Sequence, residues 1–264
     1  MATYKEIHGV KVQYRDSDAT AIEGDVWYNS TTGLLKMYSG LGAWSSGGNL
    51  NTARRTGAGC GIQTSALAFC GIGDNDESEE YNGSSWTVGN DLNLGRHNVA
   101  GLGTQTAGIA FGGNTPGSTA VTEKYDGTSW TEVADLNTAR QLLTGFGIQS
   151  SADAAGGVSD TAVHEQWNDT SWTEAADLNT GRDYLSSAGI TASGLVFGGN
   201  LDDETEEWNG TAFTEVADLA TARYGSAADG TATAAFCAMG GTSPNTAATE
   251  EWDVSASVQS VSFD

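Results

Sequence analysis

Basic residues are scarce in this chain: 11 Lys plus Arg face 34 Asp plus Glu, for a formal net charge of −23 over 264 residues. Nucleic acid and anionic membrane faces repel such a chain, so neither is an expected partner. The charge serves solubility, or suits a surface in salty surroundings where carboxylate repulsion is screened. Cysteines are few, at Cys60, Cys70 and Cys237. Their odd number and spacing fit neither a disulfide framework nor a metal site, and they read as small buried residues. Apolar runs fall far short of the roughly 20 residues that a membrane helix needs. The first 18 residues, MATYKEIHGVKVQYRDSD, hold no apolar stretch suited to a secretory signal, so synthesis in a cytoplasm without export is expected. Only 2 prolines accompany 36 glycines, and 17% of residues are charged, which fits neither a collagenous nor a disordered chain.

What the chain does hold is a repeat, and internal repetition governs architecture before any local pattern does. The stretch Asp135 to Arg140, DLNTAR, has counterparts ending in Arg54, Arg96, Arg182 and Arg223, so the arginines are spaced by 42, 44, 42 and 41 residues. Each is followed in phase by a glycine step: Cys70-Gly71, Gly112-Gly113, Gly156-Gly157, Gly198-Gly199 and Gly240-Gly241. A Glu-x-aromatic step comes next, at Glu79, Glu123, Glu165, Glu206 and Glu250. Five residues beyond its aromatic stands Trp86, Trp130, Trp172 or Phe213, whereas the fifth copy has Ser257 in that slot.

Each copy reads as short strands. GIQTSALAF and GTQTAGIAF are apolar stretches around a polar turn, and YNGSSW, YDGTSW and WNGTAF set Asn-Gly or Asp-Gly between two aromatics, a strong hairpin signal. Four strands are expected per copy: an arginine strand, a Gly-Gly strand, a Glu-x-aromatic strand and a Trp strand. No segment shows a capped helical period. The fold class is therefore all-β, and four-stranded units of this length are the signature of a β-propeller. The order Arg, Gly-Gly, Tyr-Asp/Asn-Gly, Trp, Asp-Leu resembles the kelch repeat, over residues 44 to about 256. It departs from that pattern at Cys70, and in the third copy, where Asp153, Ala154 and Ala155 replace bulky apolar residues. That blade is expected to pack least well.

Closure of the ring is open between two forms: five blades with a swapped strand, or a sixth composite blade built from both chain ends. The composite is favoured, because residues 23–46 and the alternating tail at 257–263 both offer strands. YSGLGAW, Tyr38 to Trp44, is a near copy of YNGSSW. The expected division is an arm at 1–22, a hairpin segment contributing to closure at 23–48, and the propeller at 49–264.

Three chemistries could use residues of these types. Arginines converging on a carboxylate would suit a sialidase-like enzyme. Yet every copy brings its own arginine with its own anions, Asp91, Asp135, Asp177 or Asp218 before it and a Glu after it. That is the pattern of a copied ion pair, and the sialidase Asp-box is absent. Galactose oxidase carries kelch-like blades, but its copper site needs clustered His and Tyr, and His8, His97 and His164 lie apart in sequence. The acidic turns GDNDESEE (73–80) and NLDDETEE (200–207) offer oxygen ligands for Ca²⁺ without a known loop spacing, and read as solvated loops. The Asn-x-Ser/Thr triplets at Asn29, Asn82, Asn168 and Asn209 read as turn asparagines. No catalytic residue, cofactor or metal site is expected. Arg54, Arg96, Arg140, Arg182 and Arg223, with the five glutamates and Trp86, Trp130 and Trp172, are structural positions.

The unrepeated N-terminal residues carry the functional hint. EGDVWYNSTTGLLKMYSGLGAW (Glu23 to Trp44) resembles a hairpin segment of tail-fibre and other virion proteins of tailed bacteriophages. The resemblance implies a non-enzymatic virion component, attached to other virion proteins through its N-terminal segment. Its propeller would bind a host-surface glycan or protein, with self-association into a homo-oligomer a further partner. The alternative is a glycan-active propeller enzyme on the virion, since propellers host both.

Overall fold

The computed structural model describes residues 13–15, 26–37, 47–73, 75–242 and 245–254. The chain divides into two units, Met1–Gly47 and Gly48–Asp264. In the first, Gln13–Arg15, Val26–Asn29 and Leu34–Met37 form one sheet, the middle strand pairing parallel with the first and antiparallel with the third. The YNSTTG segment makes the hairpin turn expected of it. Asn29 Oδ1 accepts the N–H groups of Thr31 and Thr32 at 3.0 and 2.9 Å, and Gly33 takes φ +70°.

The second unit is a five-bladed β-propeller of antiparallel meanders. Blade 1 comprises Ala58–Ile62, Ser65–Phe69, Ser78–Tyr81 and Trp86–Val88. Blade 2 comprises Ala100–Thr104, Ala107–Phe111, Thr122–Tyr125 and Trp130–Glu132, and blade 3 Thr144–Ile148, Ser151–Ala155, His164–Trp167 and Trp172–Glu174. Blade 4 comprises Ser186–Ile190, Ser193–Phe197, Thr205–Trp208 and Phe213–Glu215. Blade 5 shows three strands among the described residues, Ala227–Thr231, Ala234–Ala238 and Thr249–Asp253. Residues 38–46 and 255–264, which include the expected closing strands, lie outside the described residues. The first strands of all five blades line one channel, through glycines such as Gly59, Gly101 and Gly145.

The turns follow from their residues. In blade 2 Tyr125 pairs with Trp130 across a four-residue loop, where Asp126 Oδ1 accepts the N–H groups of Thr128 and Ser129, both at 2.8 Å, and Gly127 supplies φ +89°. Asn82, Asn168 and Asn209 do the same in blades 1, 3 and 4. Each loop sets two aromatics side by side, with ring centroids at 5.0, 5.1, 5.5 and 4.8 Å in blades 1 to 4.

Blades 1 to 3 pack face to face by one rule, which the junction of blades 3 and 4 breaks. Phe69 of blade 1 lies against Trp130 of blade 2, and Phe111 of blade 2 against Trp172 of blade 3, at 4.9 and 5.0 Å. Those rings cover Gly101 and Gly145, where an added Cβ would stand 2.4 Å from Cζ of each. In blade 3 the phenylalanine position is Ala155, and its cross-strand partner is His164 in place of the Ser78, Thr122 and Thr205 found elsewhere. The ring has moved to the neighbouring strand. His164 now meets Trp208 and Phe213 of blade 4 at 4.6 and 5.1 Å. Blade 4 carries Ser187 where Gly101 and Gly145 stand, and its hydroxyl donates to the Gly145 carbonyl at 2.9 Å. The looseness expected of blade 3 is thus offset: Ala152, Asp153, Ala154, Ala155 and His164 are all fully buried.

Two further expectations are corrected. The label of an arginine strand gives way to the other reading that DLNTAR allows, as the loop that leaves one blade's Trp strand and enters the next blade: each first strand begins four residues after its arginine. In the fifth copy the glycine step is Met239-Gly240, not Gly240-Gly241. The first residue of the step has φ between +54° and +68° at Cys70, Gly112, Gly156, Gly198 and Met239. The second residue's N–H donates to the carbonyl of the next blade's arginine, at 3.0, 2.9, 2.9 and 2.8 Å for Gly71, Gly113, Gly157 and Gly199. A backbone joint, rather than a Gly-Gly pair, is what repeats.

All three cysteines are free thiols. Burial pushes Cys60 and Cys70 up to about 12. Cys70, fully buried, should therefore resist iodoacetamide in the native protein at mildly alkaline pH and react after urea unfolding. Mass-spectrometric detection of rapid native labelling at Cys70 would contradict this packing.

Candidate functional site

The loop Asp135 to Arg140 shows how the repeated residues are used. Asp135 reaches back to blade 2, its Oδ1 accepting the Thr122 N–H at 3.1 Å, and Asp177 and Asp218 do the same for His164 and Thr205. Asn137 turns forward to blade 3, donating through its backbone N–H and Nδ2 to Glu165 Oε2 at 2.7 and 2.8 Å. The Thr138 N–H and the Arg140 guanidinium meet Glu165 Oε1, both at 3.2 Å. The other copies repeat the pair: Arg54 with Glu79 and Arg96 with Glu123 at 2.6 Å, Arg182 with Glu206 at 2.9 Å, and Arg223 with Glu250.

Arg96, Arg140, Arg182, Arg223, Glu79, Glu123, Glu165 and Glu206 are buried, and their electrostatics follow. Burial pulls the Arg140 guanidinium below its ordinary value, opposed by Glu165 and Asp177. At Glu79 burial acts to raise the carboxyl, but hydrogen bonds from Asn51, Thr52 and Arg54 outweigh it and hold the group below its usual value. The arginines do not converge. Each guanidinium is turned into its own blade, against its own glutamate.

The remaining sequence candidates do not assemble either. His97 forms a two-way backbone bridge with Asn114 in blade 2, whereas His164 is interior to blade 3 and His8 lies outside the described residues. Among the described residues no group of three or more His, Cys, Asp or Glu is placed to hold a metal ion. In the acidic turns, Asn75 and Asp202 spend side-chain oxygens on the backbone of their own loops.

The repeat is broken immediately after each arginine. The next position holds Arg55, His97, Gln141, Asp183 and Tyr224, and the one after it Thr56, Asn98, Leu142, Tyr184 and Gly225. The backbone there varies far less than the side chains. The second of these positions has φ between +53° and +60° in all five copies, although only one is glycine. Hydrogen bonds hold this conformation: Asn98 N–H donates to Thr56 O, Leu142 to Asn98 O, Tyr184 to Leu142 O and Gly225 to Tyr184 O, at 2.8, 3.2, 2.9 and 2.9 Å. A chain of main-chain bonds therefore runs from blade to blade and presents a different side chain at Thr56, Asn98, Leu142 and Tyr184, the fifth corner being Gly225. Left-handed non-glycine residues kept by such over-determination cluster at functional sites.

The second of these positions in every copy, together with Tyr224, lines one mouth of the channel, a cavity of about 790 Å³. Tyr184 and Tyr224 are 41% and 36% exposed, with rings 5.6 Å apart at 64°. Met239 beside them is 54% exposed. Gln141 Oε1 accepts from Asn98 Nδ2 and Asn114 Nδ2, both at 2.9 Å, which fixes the amides on the blade 2 side. Burial raises the Asp183 carboxyl above its ordinary value, with Asp160 adding to the effect, and Asp183 Oδ1 has no hydrogen-bond partner. At the opposite rim the turn residues serve the scaffold: Gln105 and Gln149 each donate to two backbone carbonyls of the preceding blade.

Repeat-matching passes over these ten positions, since it selects what recurs. Their signal in the sequence is variation at a fixed phase beside an invariant arginine. A comparison with protein-family models finds no match, and neither does a search of the curated proteins.

Proposed function

We propose that the chain is a non-enzymatic component of a bacteriophage virion, a tail fibre, appendage or decoration protein. Its propeller, of kelch type, binds a host-surface glycan or protein through the mouth ringed by Thr56, Asn98, Leu142, Tyr184 and Tyr224. One observation carries the recognition role: five near-identical backbone corners, bonded in series, set the side chains of Thr56, Asn98, Leu142 and Tyr184, with Tyr224 beside the glycine corner, around one cavity. A rigid frame with variable residues is what recognition requires. The virion assignment is supported by the resemblance of Glu23 to Trp44 to phage-fibre hairpins, with other virion proteins as partners of the N-terminal segment.

Asp183 gives the enzymatic alternative its one specific support, because a carboxyl raised by burial beside a second carboxylate is the equipment of a glycan hydrolase. Prolonged incubation of the full chain with bacterial surface polysaccharides distinguishes the two. Retention of polysaccharide without release of reducing ends is the expected result. Turnover that disappears in Asp183→Asn would establish the enzyme instead.

A further inference from the structure

The composition of the mouth narrows its ligand, on the reading that the mouth is a recognition site. Among the described residues, none that lines the cavity is charged, in a chain whose net charge is −23. What lines it is neutral and mixed: amides and hydroxyls from Asn98, Asn245, Thr56 and Thr246, and apolar surface from Leu142 and Met239. To these the two exposed tyrosines add ring faces and hydroxyls at one corner.

We infer that the channel mouth binds an uncharged glycan of hexose or N-acetylhexosamine units, seated on Tyr184 and Tyr224. A pyranose carries an apolar C–H face and a rim of hydroxyls, and the mouth offers the complement of each. The C–H face stacks on a tyrosine ring, while the hydroxyls exchange hydrogen bonds with amides and hydroxyls that accept and donate. The Asn98 amide is already oriented by Gln141, so little freedom is lost there on binding. A sialylated, sulfated or phosphorylated sugar would lose hydration without meeting a cation in the lining, and would approach against the field of the whole chain. A cationic ligand would find no carboxylate in the lining. A peptide brings charged side chains and backbone groups for which this lining holds no matching row.

The full-length chain, labelled and applied to an array of neutral and acidic glycans, should bind neutral members. Affinity for the best of them should be nearly independent of salt, because no ion pair forms. Tyr184→Ala and Tyr224→Ala should each weaken binding about tenfold or more, as expected for loss of an aromatic stacking partner, and leave the melting temperature unchanged. Binding confined to acidic glycans, or abolished by salt, overturns the neutral-sugar inference and leaves a recognition role standing. Capture of a protein receptor with no glycan bound also overturns it. Full affinity retained in both tyrosine variants places the ligand elsewhere and overturns the site. Failure to bind any surface component of susceptible cells would remove both the inference and the recognition role beneath it.

Discussion

Glu165→Ala is expected to cost about 3–5 kcal/mol, as breaking a buried ion pair does when its partner stays behind. In a domain of this size that lowers the melting temperature by on the order of 10 °C. Glu165 is fully buried and receives Asn137, Thr138 and Arg140, so its loss unties a whole interblade loop and strands a guanidinium. Arg140→Ala and Arg182→Ala should resemble each other in cost, since each leaves a buried glutamate that keeps its Asn and Thr donors. Glu250→Ala should cost less, because that side chain is 22% exposed and water can reach the arginine it abandons. Thermal melts followed by circular dichroism rank the four. Equal, small shifts would show that the pairs contribute nothing.

Loss of His164 is expected to be as damaging. His164→Ala removes the ring that fills the space beside Ala155, and it orphans Asp153. The geometry explains why. His164 Nδ1 faces the Ala176 carbonyl at 3.1 Å and so carries a proton. Nε2 meets Asp153 Oδ1 at 2.8 Å. Asp153 Oδ2 already has no partner, and only Gln166 would remain on Oδ1. A cavity and an uncompensated buried carboxyl together predict a loss of about 3–5 kcal/mol in urea titrations. The compensated variant Asp153→Ile, Ala155→Phe, His164→Thr, Ser187→Gly rewrites the interface in the pattern between blades 2 and 3. It should lie within about 1.5 kcal/mol of the parent, the range for volume-conserving core exchanges. A compensated variant less stable than His164→Ala would show that the ring has not simply changed strands.

Repetition made most of the fold legible. The arginine, glutamate and tryptophan phases count blades because each marks a contact that every blade must make. Strand placement was less legible. Arg140 sits in a loop because its guanidinium must reach a glutamate across the blade, and an apolar period says nothing about such a reach. Matching letters placed the fifth glycine step at Gly240-Gly241, whereas the backbone requires only a left-handed residue there, and Met239 supplies it. His164 could not be linked to the missing phenylalanine by spacing alone. The two lie on different strands, and only the register Ala155 to His164 shows that one replaces the other.

The site was the least legible part, for a physical reason. Asn98, Leu142 and Tyr184 have little in common as side chains, and their kinship lies in a shared backbone angle and a shared hydrogen-bond direction. Those properties become visible only once the blades stand in a ring.

The interface between blades 3 and 4 also bears on inheritance. Genes built of near-identical units gain, lose and exchange them through unequal recombination. The junctions of blade 1 with blade 2 and of blade 2 with blade 3 share one lock, a phenylalanine over a glycine, so units on either side are interchangeable in principle. Blades 3 and 4 have a private lock, in which the ring comes from a histidine and the glycine has become Ser187. A recombination event that separates them pairs half of each lock with the wrong partner. The two blades should therefore travel through a lineage as one cassette, while the mouth residues beside each arginine are free to diverge.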